Sequence, residues 1–173
     1  MEVKVKYIDP EIKSNEELHL KHIKDSNHST WIDVRASMIE INGEIFPWVP
    51  KVKPNTGEEY YEINYKKGSY IRIFLGFAME LPEGYEAIVG PRGGTFKNFG
   101  LIQTNSKGIV DTSFCGDNDQ WFVPMYALKD GAIQKHDRVA QFRIQEKMSN
   151  VEFKIVDKLD NKDRGGHSST GTK

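Results

Sequence analysis

Cysteine is almost missing from the 173 residues: Cys115 is the only one, so no intramolecular disulfide can form, and a reducing, cytoplasmic setting is expected. A lone cysteine with no histidine close in sequence reads as a small hydrophobe rather than a nucleophile. Long apolar runs are absent too, and the first residues, Met1 to Tyr7, alternate valine with lysine instead of building the apolar core of a secretory leader. Neither a membrane span nor a leader is therefore expected. Excess charge is the third thing missing. At a formal −1 the chain has no global field to draw it to nucleic acid or to a membrane surface, so any recognition of an anion has to be local. Internal repeats, a P-loop, a dinucleotide-binding glycine fingerprint and a nucleophile elbow are all lacking. Asp117-Asn118-Asp119 resembles the start of a calcium loop, but Phe122 and Leu128 occupy the positions that would need Gly and Glu, so it reads as a turn.

What is present is many short strands. Val3 to Tyr7 reads as a strand ended by Asp9-Pro10, Trp31 to Ala36 as a second, and Tyr70 to Leu81 as the clearest, with Ile71, Ile73, Leu75 and Phe77 on one face. Trp121 to Leu128, Val139 to Ile144 and Val151 to Val156 follow, the last closing the sheet. Glu11 to Ser29 is polar; His19 and His22 lack acidic or cysteine partners at ligand spacing, so the segment reads as solvated. Residues 38–65 carry Asn42-Gly43, three prolines and Asn55-Thr56-Gly57, which mark irregular turns and suggest a surface elaboration. A chain of this length buries about 70% of its unfolded surface, enough for one core. The expectation is one all-β barrel or jelly roll with little helix.

Turn formers and polar groups concentrate between Gly90 and Asp117. Arg92 is followed by Gly93 and Gly94, a turn whose backbone could reach positive φ and cradle an anion that the guanidinium clamps. Thr95 to Phe99 reads as one helical turn closed by Gly100. Leu101 to Asn105 and Ile109 to Asp111 read as strands around the turn Ser106-Lys107-Gly108, placing Asn105 and Asp111 in one hairpin pocket beside the clamp. A carboxylate so held can orient and deprotonate a water, and Phe114 offers a flat face to a sugar or base. Asp33, among apolar neighbours, is expected to be paired, for instance with Arg138, or held at a site.

These residues resemble the five ordered motifs of the trimeric dUTP pyrophosphatases (dUTPases). Gly108-Ile109-Val110-Asp111-Thr112-Ser113-Phe114-Cys115-Gly116-Asp117 is similar to the third motif, Gly-X-Ile-Asp-X-X-Tyr-X-Gly-Glu. Pro91-Arg92-Gly93-Gly94 is similar to the second, with Gly93 where the family has Ser. Asp137-Arg138-Val139-Ala140-Gln141 is similar to the fourth, with His136 in place of a Gly. Ile32 to Ala36 is similar to the first, and Arg164 to Gly171 to the glycine-rich fifth. The resemblance implies a dUTPase-like jelly roll over residues 1–156, with an insertion at about 38–65, and a flexible tail, 157–173, that closes over bound nucleotide.

It also implies hydrolysis of dUTP to dUMP and pyrophosphate, which keeps uracil out of DNA and supplies dUMP. Asp111 would activate the water attacking the α-phosphate. Arg92, Gly93, Gly94 and Gln141 would hold the triphosphate with Arg164, Ser168, Ser169 and Thr170 of the tail. Asn105 and the hairpin backbone at Gly108 and Val110 would read uracil, Phe114 would pack on deoxyribose, and His167 would stack on the base. Mg²⁺ would neutralise the phosphates, with Asp33 reaching it through water, and sites would lie between subunits of a homotrimer. The related dCTP deaminases use a Glu that Trp121 to Leu128 lacks. A nucleotide-switched regulatory protein that contacts partners through 38–65, and an inactive jelly roll, are the remaining alternatives.

Overall fold

A computed structural model describes residues 1–25 and 29–163. In chain order the elements are β1 (Lys4–Tyr7), α1 (Pro10–Ser14), β2 (Ile32–Arg35), β3 (Met38–Ile41), β4 (Glu44–Phe46), β5 (Val49–Val52) and β6 (Glu59–Tyr65). There follow β7 (Tyr70–Phe74), β8 (Phe77–Glu80), β9 (Tyr85–Pro91), α2 (Thr95–Phe99), β10 (Leu101–Gln103), β11 (Gly108–Val110), β12 (Phe122–Ala127), β13 (Gly131–Gln134) and β14 (Arg138–Glu146). The strands form sheets ordered β1-β8, β10-β12-β7-β3-β4, β11-β9-β14-β2 and β13-β6-β5. The expected all-β architecture with little helix is what the chain adopts.

Alternation explains the core. Ile39, Ile73 and Val123 stand in one register row across β3, β7 and β12, and Ile41, Ile71 and Met125 in the next. All six are buried, each contributing about 1.5–3 kcal/mol by leaving water. Beneath them Phe77, Trp121 and Phe142 pack with ring centroids 5.2–6.3 Å apart. The long strand expected over Tyr70 to Leu81 is instead two, because the chain turns at Gly76 with φ +77°.

Three further expectations are corrected. Residues 38–65 are not only a surface elaboration, since Ile39, Ile41, Ile63 and Tyr65 at the two ends belong to the core, and only β4, β5 and their turns project. In 11–29 the reading of a wholly solvated segment fails at Ile12, which is buried on α1 under an Asp9 cap. Val151 to Val156 forms no strand: Phe153 and Ile155 are 90% and 96% exposed, so their apolar face is uncovered within one chain.

Gly76 is where the N-terminal segment crosses the sheet, its carbonyl accepting from Ile8 and Asp9 at 2.7 and 3.1 Å. A Cβ there would lie 2.8 Å from Ile12 Cδ1 and 2.9 Å from both Asp9 Cβ and Ser37 Cβ. Gly76→Ala is expected to cost about 2–4 kcal/mol from left-handed backbone strain and overpacking together. Thermal unfolding at fixed protein concentration checks it; an unchanged Tm would contradict the packing described.

Candidate active site

Strand pairing builds an arginine cluster from three separate motifs. β14 lies between β2 and β9, so Gln141 faces Asp33 on one side and Gly90 on the other, while Ala140 faces Val34 and Pro91. Arg92, one residue beyond β9, donates from Nε to Asp33 Oδ1 at 2.7 Å; Arg138 Nη1 donates to Asp33 Oδ2 at 3.3 Å. Arg92 Nη1 also reaches the Arg138 carbonyl at 3.3 Å, and Gln141 Nε2 donates to the Pro91 carbonyl at 3.1 Å. Asp33 thus pairs with Arg138 as the sequence suggests, and with Arg92 as well.

A third guanidinium, Arg35, is half-buried and donates to the His136 carbonyl at 2.9 Å. Burial pulls its pKa below the usual value, and the positive charges of Arg138 and then Arg92 pull the same way. Three cations against two carboxylates, Asp33 between Arg92 and Arg138 and Asp137 facing Arg35, still leave a local positive excess on a nearly neutral protein, the condition for seating a polyanion.

The turn at Arg92 is held by a residue that the motif reading passed over. Buried Thr95 accepts from the Arg92 amide at 2.9 Å through Oγ1 and donates from it to the Val139 carbonyl at 3.1 Å, tying motif two to β14. α2 ends as expected at Gly100, φ +67°. Positive φ at Gly93 and Gly94, however, is not what the turn uses: neither is among the positive-φ glycines, and Gly94 has φ −88°. Gly93 serves by leaving space, with no atom within 4 Å of where a Cβ would stand.

The base-reading candidates sit on a different part of β9. Leu101 to Asp111 is not a paired hairpin: β10 joins β12 in the five-stranded sheet, and β11 joins β9 in the four-stranded one. The intervening loop crosses between sheets because Leu101 faces the core while Val110 follows β9. Gly108 lies opposite Val89, and the two pass closely, since a Cβ on the glycine would come 3.3 Å from Val89 Cβ and one of them would have to shift slightly. Asn105 is exposed and accepts through Oδ1 from Gln103 Nε2 at 2.8 Å. Phe114 is half-buried and packs against the core, as does Val110.

Asp111 caps its own turn. Oδ1 accepts from the Ser113 hydroxyl at 2.5 Å and the Ser113 amide at 2.8 Å. The hydroxyl first, and then the amide, holds the carboxyl below the usual carboxylate range, and the charge of Lys147 adds to this.

β11 runs antiparallel along β9, from Gly108 opposite Val89 to Val110 opposite Ala87, so Asp111 emerges near Glu86. Arg92 leaves the other end of the same strand. Six residues of strand put the two about 20 Å apart. The expected pocket with Asp111 beside the clamp therefore does not form within one chain; Arg92, Gln141 and Asp33 gather at one end of β9, and Asp111 stands at the other.

His136 shows why a Gly is usual at its position: φ is +63°, a left-handed backbone that costs a residue with a Cβ about 1 kcal/mol or more. Here its Nε2 lies 3.3 Å from Asp9 Oδ2, tying the motif-four turn to the cap of α1. Arg164, His167, Ser168, Ser169 and Thr170 lie outside the described residues. Among the described residues no helix is long and apolar enough to cross a membrane.

A dUTPase family model matches residues 59–172. The chain is 45% identical over 173 residues, the whole length of both proteins, to the SPbeta prophage-derived deoxyuridine 5'-triphosphate nucleotidohydrolase YosS of Bacillus subtilis. Among solved structures it is similar to Staphylococcus bacteriophage 80alpha dUTPase with dUpNHpp, at TM-score 0.65 and 14% identity over 98% of each chain. A second is the dUTPase of phage phi11 of S. aureus, described with a structural Mg(II) ion, at TM-score 0.61 and 13% identity over 93% of this chain and all of that one. With matching motifs in order along strands that bring three of them together, the chain belongs to the dUTPase family.

Proposed function

We propose that the protein hydrolyses dUTP to dUMP and pyrophosphate by attack of water on the α-phosphate. The observation that carries this is the division of β9: a cationic clamp at one end, an ionised carboxylate at the other and an amide that can read a base between them. Arg92, with Gly93, Gly94 and Gln141, holds the triphosphate oxygens. Asp111 aims and accepts a proton from the water, Asn105 with the backbone of Gly108 and Val110 meets uracil, and Phe114 packs on the sugar. Tail residues Arg164, His167, Ser168, Ser169 and Thr170 complete the phosphate and base contacts.

The separation of Asp111 from Arg92, about 20 Å by strand length, supports sites shared between subunits of a homotrimer, and the uncovered Phe153 and Ile155 supply apolar surface for such an assembly. Among the described residues no group of three or more His, Cys, Asp or Glu could cage a metal, which fits Mg²⁺ carried mainly on phosphate oxygens and water. Asp33 would receive one of those waters, and the ion would neutralise phosphate charge. A cytoplasmic setting is the reading that the single cysteine, free and exposed, supports.

Pyrophosphate release from dUTP, dCTP, dTTP and UTP with Mg²⁺ tests the assignment. Release from dUTP alone is expected; equal release from dCTP, or none from any, would overturn it. The open space at Gly93 admits a hydroxymethyl, so Gly93→Ser is expected to raise kcat by about tenfold, the worth of one added hydrogen bond. A fall in kcat would show that the phosphates lie elsewhere.

A further inference from the structure

We propose that Gln103 sets the base preference of the site by locking the side-chain amide of Asn105 in one orientation, with its N–H donors outward. The proposal rests on the reading that the base sits at Asn105. The lock has a fixed anchor. Gln103 Nε2 donates to the Val89 carbonyl at 3.1 Å and to Asn105 Oδ1 at 2.8 Å. A backbone carbonyl can only accept, so the end of the Gln103 amide that meets it has to be the nitrogen. The same nitrogen then presents its second hydrogen to Asn105, and the atom it meets has to be Oδ1. With Oδ1 held, Nδ2 is the end of the Asn105 amide left for a ligand; it lies near Gly108, where a Cβ on the glycine would come 3.6 Å from it and 3.7 Å from Gln103 Nε2.

The lock is kept against a cost. Gln103 Oε1 is one of two buried side-chain polar atoms without a partner among the described residues. Turning the Gln103 amide over would set Oε1 against both the Val89 carbonyl and Asn105 Oδ1, two acceptors facing a third, which is worse than one unpaired atom. Asn105 cannot turn alone either, because its Nδ2 would then face the Gln103 nitrogen.

The consequence is chemical selection. At position 4 a uracil carries a carbonyl, which accepts, and a cytosine carries an amino group, which donates. An outward Nδ2 pairs with the first and leaves the second facing another donor, and a buried donor left unpaired is what gives a polar pocket its discrimination. Gln103 acts through Asn105 and is a positioning residue.

Two substitutions separate positioning from mere support of the fold. Gln103→Leu removes the lock and lets the Asn105 amide turn either way. Gln103→Glu has no hydrogen for the Val89 carbonyl or for Oδ1, so it loses the anchor, and where its carboxylate still meets Asn105 it can only accept, which favours Nδ2 inward and Oδ1 exposed. The readout is the ratio of the dCTP inhibition constant to the dUTP KM, with dCTP competing during dUTP turnover. Relative to wild type, the ratio is expected to fall about 10-fold in Gln103→Leu and by at least as much in Gln103→Glu. A purely structural role would weaken both nucleotides equally and leave the ratio unchanged, which would overturn the proposal. Asn105→Ala distinguishes the two failures. If it alters the ratio while the Gln103 variants do not, the lock is wrong; if it leaves the ratio unchanged, the base is not read at Asn105 at all.

Discussion

Asp111→Asn is expected to slow pyrophosphate release from dUTP by about 10²–10⁴-fold, the usual worth of a positioned proton acceptor, with little change in KM. The amide has nearly the shape of the carboxylate and its oxygen can still accept from the Ser113 amide, so the turn is kept. What it loses is the capacity to take a proton. A variant within tenfold of wild type would show that the water is activated elsewhere.

The pH profile follows from the two Ser113 hydrogen bonds. They favour the ionised carboxyl, so Asp111 has its pKa below the ordinary carboxylate value and stays charged throughout the neutral range. Activity is then flat around neutrality and falls only as acid protonates Asp111 below the usual carboxylate pKa of about 3.9. Ionised throughout the neutral range, the carboxylate is in the form that can both aim a lone pair at the water and take its proton. Ser113→Ala removes the hydroxyl, the larger of the two effects, and is expected to move the acid limb upward. An acid limb that stayed in place would mean that another group governs it.

The residues of this site were legible in the sequence, and their separation was not. Asp111 lies 19 positions after Arg92, across a turn-rich stretch that reads as one compact hairpin. Only the pairing of Val110 with Ala87 reveals that the chain doubles back along β9 and carries Asp111 away from the clamp. Residues Val151, Phe153 and Ile155 alternate like a strand, but alternation says only that one face is apolar. It does not say whose surface covers it. In 38–65 the prolines and Asn42-Gly43 drew attention to turns, while the period-two burial of Ile39 and Ile41, and of Ile63 and Tyr65, was the quieter signal of core. Gln103, Thr95 and Ser113 escaped for a different reason: each acts through a hydrogen bond to a residue that a motif names, and spacing carries no trace of that. The Asp33–Arg138 pair, by contrast, was open to inference, because an acid among apolar residues needs a cation.

Arg92→Ala is expected to lower kcat/KM for dUTP by about 10²–10³-fold, the loss of one or two charge-assisted hydrogen bonds to phosphate. Its Nε is committed to Asp33 and one Nη1 hydrogen to the Arg138 carbonyl, which fixes the plane of the guanidinium and leaves Nη2 and the second Nη1 hydrogen for the ligand. Lysine cannot reproduce that fork, so Arg92→Lys should recover only part of the loss. The sharper experiment mixes chains. Arg92→Ala protomers keep Asp111, and Asp111→Asn protomers keep Arg92. If every site takes these two residues from different subunits, unfolding and refolding the inactive variants together in equal amounts restores roughly a quarter of the wild-type rate, the chance that the subunit giving Arg92 and the subunit giving Asp111 are each of the kind that keeps it. If each site were built from one chain, every site would lack one residue or the other and mixing would restore nothing. Recovered activity would tie the 20 Å gap along β9 to the assembly; its absence, in a mixture shown to exchange subunits, would place both residues on one substrate within a single chain and require β11 to pair differently from the register described.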